Sequence, residues 1–275
     1  MMCAWKELLS ILPDRIRREV DELGKDTLQE LRLRINAPPE LILGQGSLWL
    51  KGNISRDELN YIINAASRYS PWAAATTAQG YLTAQGGHRI GICGEAIFKD
   101  GCIKGIRDIQ SLCIRVARDH SGIARDVLFL HGSILIIGAP GWGKTTLLRD
   151  LTRQLAGKDT VCVVDERGEL YPHGFLRGKR MDILFGCPKP DGIEMVLRTM
   201  SPSCIAVDEI TAEPDCQALI RAANCGVRLL ATAHAASLKE FQSRPVYRPL
   251  IEHRIFHTLL ILHKDKSYTL ERMAE

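Results

Sequence analysis

Residues 138–146 read Gly138-Ala139-Pro140-Gly141-Trp142-Gly143-Lys144-Thr145-Thr146. This is a complete G-x-x-x-x-G-K-T loop, and its flanks match it. The apolar run Ile134-Leu135-Ile136-Ile137 comes before it, and Leu147, Leu148, Leu151 and Leu155 follow at helical spacing. Glycines let such a loop turn its N–H groups toward phosphate oxygens. Lys144 is predicted to reach the β- and γ-phosphates of ATP, and the Thr145 hydroxyl to bind Mg²⁺. The N-terminus of the following helix adds its dipole to the same anion site. An ordinary glycine turn would explain the bend, but not a lysine and a threonine directly after it.

Outward from the loop, apolar strands alternate with helices. Strands are predicted over 133–138, 160–165, 203–208 and 227–233, and helices over 144–156, 191–200 and 214–225. That alternation implies a parallel sheet covered on both faces. Leu259 to Leu270 reads as a closing hairpin over His263–Lys266.

ATP hydrolysis also needs a carboxylate for magnesium's water shell and a group to orient the attacking water. The strand Ser203-Cys204-Ile205-Ala206-Val207 ends in Asp208-Glu209. Ligands bind at the C-terminal edge of a parallel sheet. Asp208 is therefore assigned to magnesium, through water, and Glu209 to the attacking water. A second acidic strand end, Val163-Val164-Asp165-Glu166-Arg167, offers Asp165 or Glu166 as a rival. Its plainer reading is a turn held by an ion pair to Arg167. The strand ending Thr232-Ala233-His234 offers His234 as a sensor of the γ-phosphate, against the commoner role of a locally bonded histidine.

The first half, 1–125, carries no nucleotide motif and reads as a smaller α+β domain ahead of 126–275. Pro13 to Leu23 is amphipathic, and Ser55-Arg56-Asp57-Glu58 is a capping box. Gly86 to Cys93, Ala96-Ile97-Phe98, Cys102-Ile103 and Leu112 to Val116 read as strand pieces, with a turn at Lys99-Asp100-Gly101. Residues 119–126 form the connection. The 275 residues are 45% hydrophobic and 25% charged, a globular composition, and a net charge of +4 fits an anionic ligand without arguing for nucleic acid. Nine scattered cysteines contain no C-x-x-C pair, which argues against a zinc or iron–sulfur site and fits a reducing cytosol. No stretch approaches the ~20 apolar residues of a membrane span, so membrane work would need partner proteins.

The chain also resembles the stage III sporulation protein AA family of endospore-forming bacteria, itself similar to the hexameric ATPases of type II and type IV secretion. In the first half the resemblance rests on Leu31-Arg32-Leu33-Arg34, on Gly80-Tyr81-Leu82-Thr83 with Gly86-Gly87-His88-Arg89, and on Ile114-Arg115-Val116-Ala117-Arg118. In the second half it rests on the phosphate loop, Val164-Asp165-Glu166-Arg167, Gly186-Cys187-Pro188-Lys189, Met200-Ser201-Pro202, Val207-Asp208-Glu209-Ile210 and Ala231-Thr232-Ala233-His234. It implies a RecA-like P-loop ATPase domain and a homo-hexameric ring. It places the protein in the mother-cell cytoplasm, peripheral to the membrane, working with membrane proteins of the channel to the forespore. It implies that Asp165 and Glu166 form an acidic box, that Glu209 is the catalytic glutamate of a second acidic strand, and that His234 belongs to a histidine box. Arg89, Arg107 and Arg115 are candidate arginine fingers, although for any one of them an ordinary surface ion pair is the plainer reading.

Two positions depart from that pattern. Trp142 stands where a small loop residue is usual, with bulk to alter nucleotide exchange or touch an adjacent subunit. Thr211-Ala212 stands where a Gly-Arg pair is expected. The expected function is a Mg²⁺-ATP-hydrolysing motor. The alternatives are a nucleotide-gated scaffold with little turnover and a nucleic-acid-dependent ATPase of the same core fold. The low charge and 6% aromatic content argue against the latter.

Overall fold

The computed structural model describes residues 3–24, 26–67, 80–172 and 174–273. Two compact units emerge. One comprises Met1–Asp119 with Pro172–Phe175, the other His120–Tyr171 with Leu176–Glu275. The units part between Asp119 and His120, not at 125/126. The cause is local. Ala124 N–H donates to Asp150 at 2.8 Å, Arg153 donates to the His120 carbonyl at 2.7 Å, and Ala124 and Val127 are buried in the second unit's core.

The first unit is an antiparallel sheet with helices on one face. Its strands are β1 (Leu28–Arg34), β2 (Glu40–Leu43), β3 (Gly46–Trp49), β4 (Tyr81–Thr83), β5 (Arg89–Lys99) and β6 (Cys102–Arg115), in the order β3-β2-β1-β6-β5-β4. The predicted strand pieces between 89 and 116 are one long hairpin turning at Asp100-Gly101. Strand alternation puts Leu31 and Leu33 into the core, with Arg32 and Arg34 on the other face, ion-paired to Glu30 and Glu40. Helices α1 (Trp5–Ser10), α2 (Asp14–Leu23) and α3 (Arg56–Ser67) supply Leu8, Ile16, Val20, Leu59 and Ile62 to that core. The capping box is formed. Glu58 N–H donates to Ser55 Oγ at 3.2 Å, and Ser55 N–H to Glu58 Oε2 at 2.9 Å.

The second unit is a seven-stranded sheet in the order β13-β12-β7-β11-β10-β8-β9. Its strands are β7 (Ile134–Gly138), β8 (Val161–Asp165), β9 (Met181–Phe185), β10 (Cys204–Val207), β11 (Arg228–His234), β12 (Thr258–Leu262) and β13 (Tyr268–Arg272). All neighbours are parallel except β13, which closes the sheet as the expected hairpin. The strands β7, β8 and β10 are fully buried runs, as a sheet covered on both faces requires. Cys162 and Cys204 sit in them as small core residues. The helices are α4 (Lys144–Leu155), α5 (Lys189–Thr199), α6 (Glu213–Asn224), α7 (Leu238–Ser243) and α8 (Arg248–Glu252). Strand β9 and helices α7 and α8 are additions to the elements predicted from sequence. None of the helices among the described residues is long and apolar enough to cross a membrane.

Candidate functional site

Register brings the candidate residues together. Gly138 pairs with His234 across β7 and β11, and Val207 faces both Ala231 and Val164. The four central strands therefore end on one edge, where their following loops meet. The loop 138–143 bends through Gly141 and Gly143, at φ of +75° and +102°, a region where a side chain is strained. Gly143 is the N-cap of α4, so Lys144 and Thr145 are its first residues and its free N–H groups face the loop. Lys266, in the β12–β13 turn, donates to the Gly141 carbonyl at 2.7 Å and braces the loop from outside. Trp142 is half-buried against its own unit's core and packs beside Gly138.

Lys144 is buried. Its ammonium donates to the Gly138 and Ala139 carbonyls at 2.8 and 3.1 Å and lies 2.9 Å from His234 Nδ1. His234 Nε2 is 3.0 Å from Glu209 Oε1. With the ammonium donating, Nδ1 accepts and Nε2–H donates, so His234 bridges the loop lysine and Glu209. Burial pushes the Lys144 pKa below its ordinary value, against the opposing pull of Asp208 and Glu209.

Thr145 Oγ1 donates to Asp208 Oδ2 at 2.8 Å. The other oxygen, Oδ1, accepts from Thr232 Oγ1 at 2.6 Å and from Glu209 N–H at 3.1 Å. Glu209 N–H also reaches Thr232 Oγ1 at 2.8 Å, and Ile210 N–H is held by the Thr232 carbonyl. These bonds hold Glu209 at φ +40°, unusual for a residue with a side chain. Strain of this kind persists only where surroundings impose it, and it concentrates at functional positions.

The other acidic strand end is built differently. Asp165 is buried and accepts three N–H groups, from Glu169, Leu170 and Tyr171, at 2.8 to 3.0 Å. Burial pushes its pKa up to about 6, against those N–H bonds and with the Asp208 charge adding to the rise. Its carboxylate thus holds the turn 166–171 together. The ion pair expected between this strand end and Arg167 is absent among the described residues. Arg167 lies 3.8 Å from Glu209, and Glu166 pairs with Lys189 at 2.5 Å. Asp165, Glu166, Arg167, Glu169, Lys189, Asp208 and Glu209 line one pocket. Sequence reasoning gives Lys189 no role, because its partners lie 23 and 26 residues away and only the topology joins them.

The three arginines lie in the first unit. Arg89 stacks over the Tyr81 ring at 4.1 Å, Arg107 pairs with Glu95 at 2.5 Å, and Arg115 pairs with Glu30 at 3.5 Å. At Thr211-Ala212, Asp215 Oδ2 accepts from both backbone N–H groups and caps α6, so the turn is closed without an arginine.

The family model described as sporulation stage III, protein AA, matches residues 4–270. A protein named stage III sporulation protein AA, from Bacillus subtilis (strain 168), is 37% identical over 283 residues, spanning 95% of this chain and 92% of that one. Among solved structures, the pilus retraction motor PilT with bound ADP aligns at a TM-score of 0.65 and 15% identity, over 93% of this chain and 80% of that one. The Legionella pneumophila ATPase DotB aligns at 0.59 and 17%, over 95% and 81%. At those identities the likeness is one of fold, and the fold is that of the RecA-like secretion ATPases. With the family model running across nearly its whole length, the chain belongs to the sporulation stage III protein AA family.

Proposed function

We propose that this chain binds Mg²⁺-ATP at Gly138–Thr146 and hydrolyses it as a ring-forming motor serving the mother cell–forespore channel. The observation that carries the reading is the bridge from Lys144 through His234 to Glu209, set beside the Thr145–Asp208 bond. A loop lysine, a hydroxyl, an acid and a strained glutamate converge on one sheet edge. Phosphate oxygens fit the N–H groups of the loop and of α4, with the Lys144 ammonium beside them. A magnesium ion bound between Thr145 and Asp208 would neutralise phosphate charge. Glu209 is assigned to orienting water, with Glu166 as the second acid of the pocket. His234 would register whether Lys144 is engaged by phosphate or by the loop. The mother-cell location, the hexamer and the membrane partners are parts of the proposal, supported by the family and by the neighbours' fold.

A second reading, a nucleotide-gated scaffold with little turnover, is favoured by one feature. Glu209 is already occupied by both His234 and Arg167. Steady-state Mg²⁺-ATP hydrolysis over a range of protein concentrations, with Lys144→Ala as blank, separates the two. Specific activity that rises with concentration and is lost in the variant supports the motor. ATP binding without turnover at any concentration supports the scaffold. Absence of nucleotide binding defeats both.

A further inference from the structure

Lys189 is the buried cation of the pocket. It opens α5, only 5% of its surface is exposed, and both of its charged partners are carboxylates. Its ammonium lies 2.5 Å from Glu166 Oε2 and 3.7 Å from Asp215 Oδ2. Asp215 is itself buried and caps the turn that leaves Glu209, through the N–H groups of Thr211 and Ala212. A continuous polar path therefore runs from the Asp208-Glu209 strand end, through Asp215 and Lys189, to Glu166 at the Asp165-Glu166 strand end. Glu166 is exposed on its loop, and that ammonium holds its carboxylate in place. A buried ammonium is a compact point charge, and removing it strands the buried Asp215 carboxylate and leaves the exposed Glu166 carboxylate without its cation.

We propose that Lys189 is a positioning residue. It fixes the Glu166 carboxylate at the rim of the pocket, at a set distance from Asp208 and Glu209, so that the two acidic strand ends work as one site. The inference rests on the proposed ATPase activity and adds a residue and a coupling to it. It differs from a purely structural ion pair in one respect: the effect of Lys189 on turnover must pass through Glu166.

The test is a double-variant cycle on the full chain, with Lys189→Met, Glu166→Gln and the pair combined. Turnover, KM for ATP and urea unfolding are measured for each. Lys189→Met is expected to lower kcat by about tenfold or more, the scale of a displaced catalytic group, with KM changed less than about threefold. On the Glu166→Gln background the same substitution should lower kcat by no more than about twofold, because the group it positions is already neutral. Lys189→Arg, which keeps the charge in a different shape, should fall between wild type and Lys189→Met. If Lys189→Met alone does not fold, the combined variant, which removes both charges, and Lys189→Arg carry the comparison. Unchanged kcat in Lys189→Met, or losses that simply multiply with Glu166→Gln, would overturn the positioning role while wild-type turnover keeps the ATPase reading intact. A wild-type chain that binds ATP and never turns it over would overturn both, and the unfolding cycle would then report the ion pair as structural only.

Discussion

Two parallel strands end in the same three residues, Val164-Asp165-Glu166 and Val207-Asp208-Glu209, and the identical letters are put to different uses. After the first, the chain curls back through Arg167 and Gly168 so that three consecutive N–H groups close on Asp165. After the second, it is drawn off by the Thr232 carbonyl at Ile210, and Asp208 is left facing the Thr145 hydroxyl. One aspartate has become part of the scaffold, and the other is presented to the Gly138–Thr146 loop. The glutamates also diverge. Glu209 meets His234 and Arg167, whereas Glu166 meets Lys189. The path of the chain beyond a strand end, more than the residues in it, decides what its acids can do.

The sharpest break of this comparison is at the glutamates. Under the proposed reaction, Glu209→Gln is expected to reduce turnover about 10³-fold while nucleotide binding persists, and Glu166→Gln to reduce it about 10²-fold. Single-turnover rates and equilibrium nucleotide titrations measure the two effects separately. Equal losses would mean that the strand ends share the work equally, contrary to the difference in their surroundings.

At the aspartates the contrast is one of stability. Asp165 has its pKa raised to about 6 from an ordinary carboxyl value of 3.8. An acid whose folded pKa lies above its unfolded one binds more protons when folded. Its contribution to stability is therefore largest below about pH 4 and declines as pH rises to about 6. A displacement of about two units corresponds to about 3 kcal/mol. Asp165→Asn lacks this titration. The unfolding free energy of the wild type, relative to that variant, should fall by about this amount between pH 4 and 6 and level off above pH 7. Urea unfolding across that range is the measurement. A flat difference would show that the three N–H donors offset burial in full.

The fold of the second unit was largely legible, and the reason is physical. Fully buried strands must read as unbroken apolar runs, so Ile134–Ile137 and Cys204–Val207 announce themselves. Strand β9 lies at the sheet edge, where only one side needs cover, and its Met-Asp-Ile-Leu-Phe sequence carries no such run. In the first unit, the glycines and polar residues of the long hairpin made one ribbon look like fragments. For the site, a local motif locates the loop lysine and threonine, and strand ends locate the acids. The sequence does not tell which acid is consumed by its own turn, nor that Lys189 reaches across from α5. Both depend on bonds closed by tertiary topology.

Thr232 supports only the second strand end. Its hydroxyl donates to Asp208 and accepts from the Glu209 N–H, and the residue is fully buried. Thr232→Val keeps the shape and removes both bonds. The expected loss is about 1–2 kcal/mol of stability, because Asp208 keeps Thr145 and Glu209 N–H keeps Asp208. Turnover should also fall, since Glu209 would be less firmly held at its positive φ. Urea unfolding and single-turnover rates measured on the same preparation check both parts. Full stability with full turnover would show that Asp208 alone sets the conformation.

The smallest effect belongs to Arg167, the residue that crosses from one strand end to the other. Its guanidinium is half-exposed and stands 3.8 Å from Glu209, at the outer limit of an ion pair. Exposed pairs of this kind contribute about 0.5 kcal/mol or less, so Arg167→Ala should leave the unfolding free energy nearly unchanged. Its effect on the site is a coupling to His234. Arg167 draws the Glu209 carboxylate toward the first strand end, while His234 holds it toward Lys144 and the Gly138–Thr146 loop. Without the arginine, His234 is the remaining partner of Glu209, and turnover should change by no more than a few-fold while its dependence on His234 grows. Combining Arg167→Ala with His234→Ala then gives a larger loss than the two single losses multiplied. Simple multiplication would place the two contacts on independent conformers of Glu209 and would separate the strand ends at the point where the Arg167 side chain joins them.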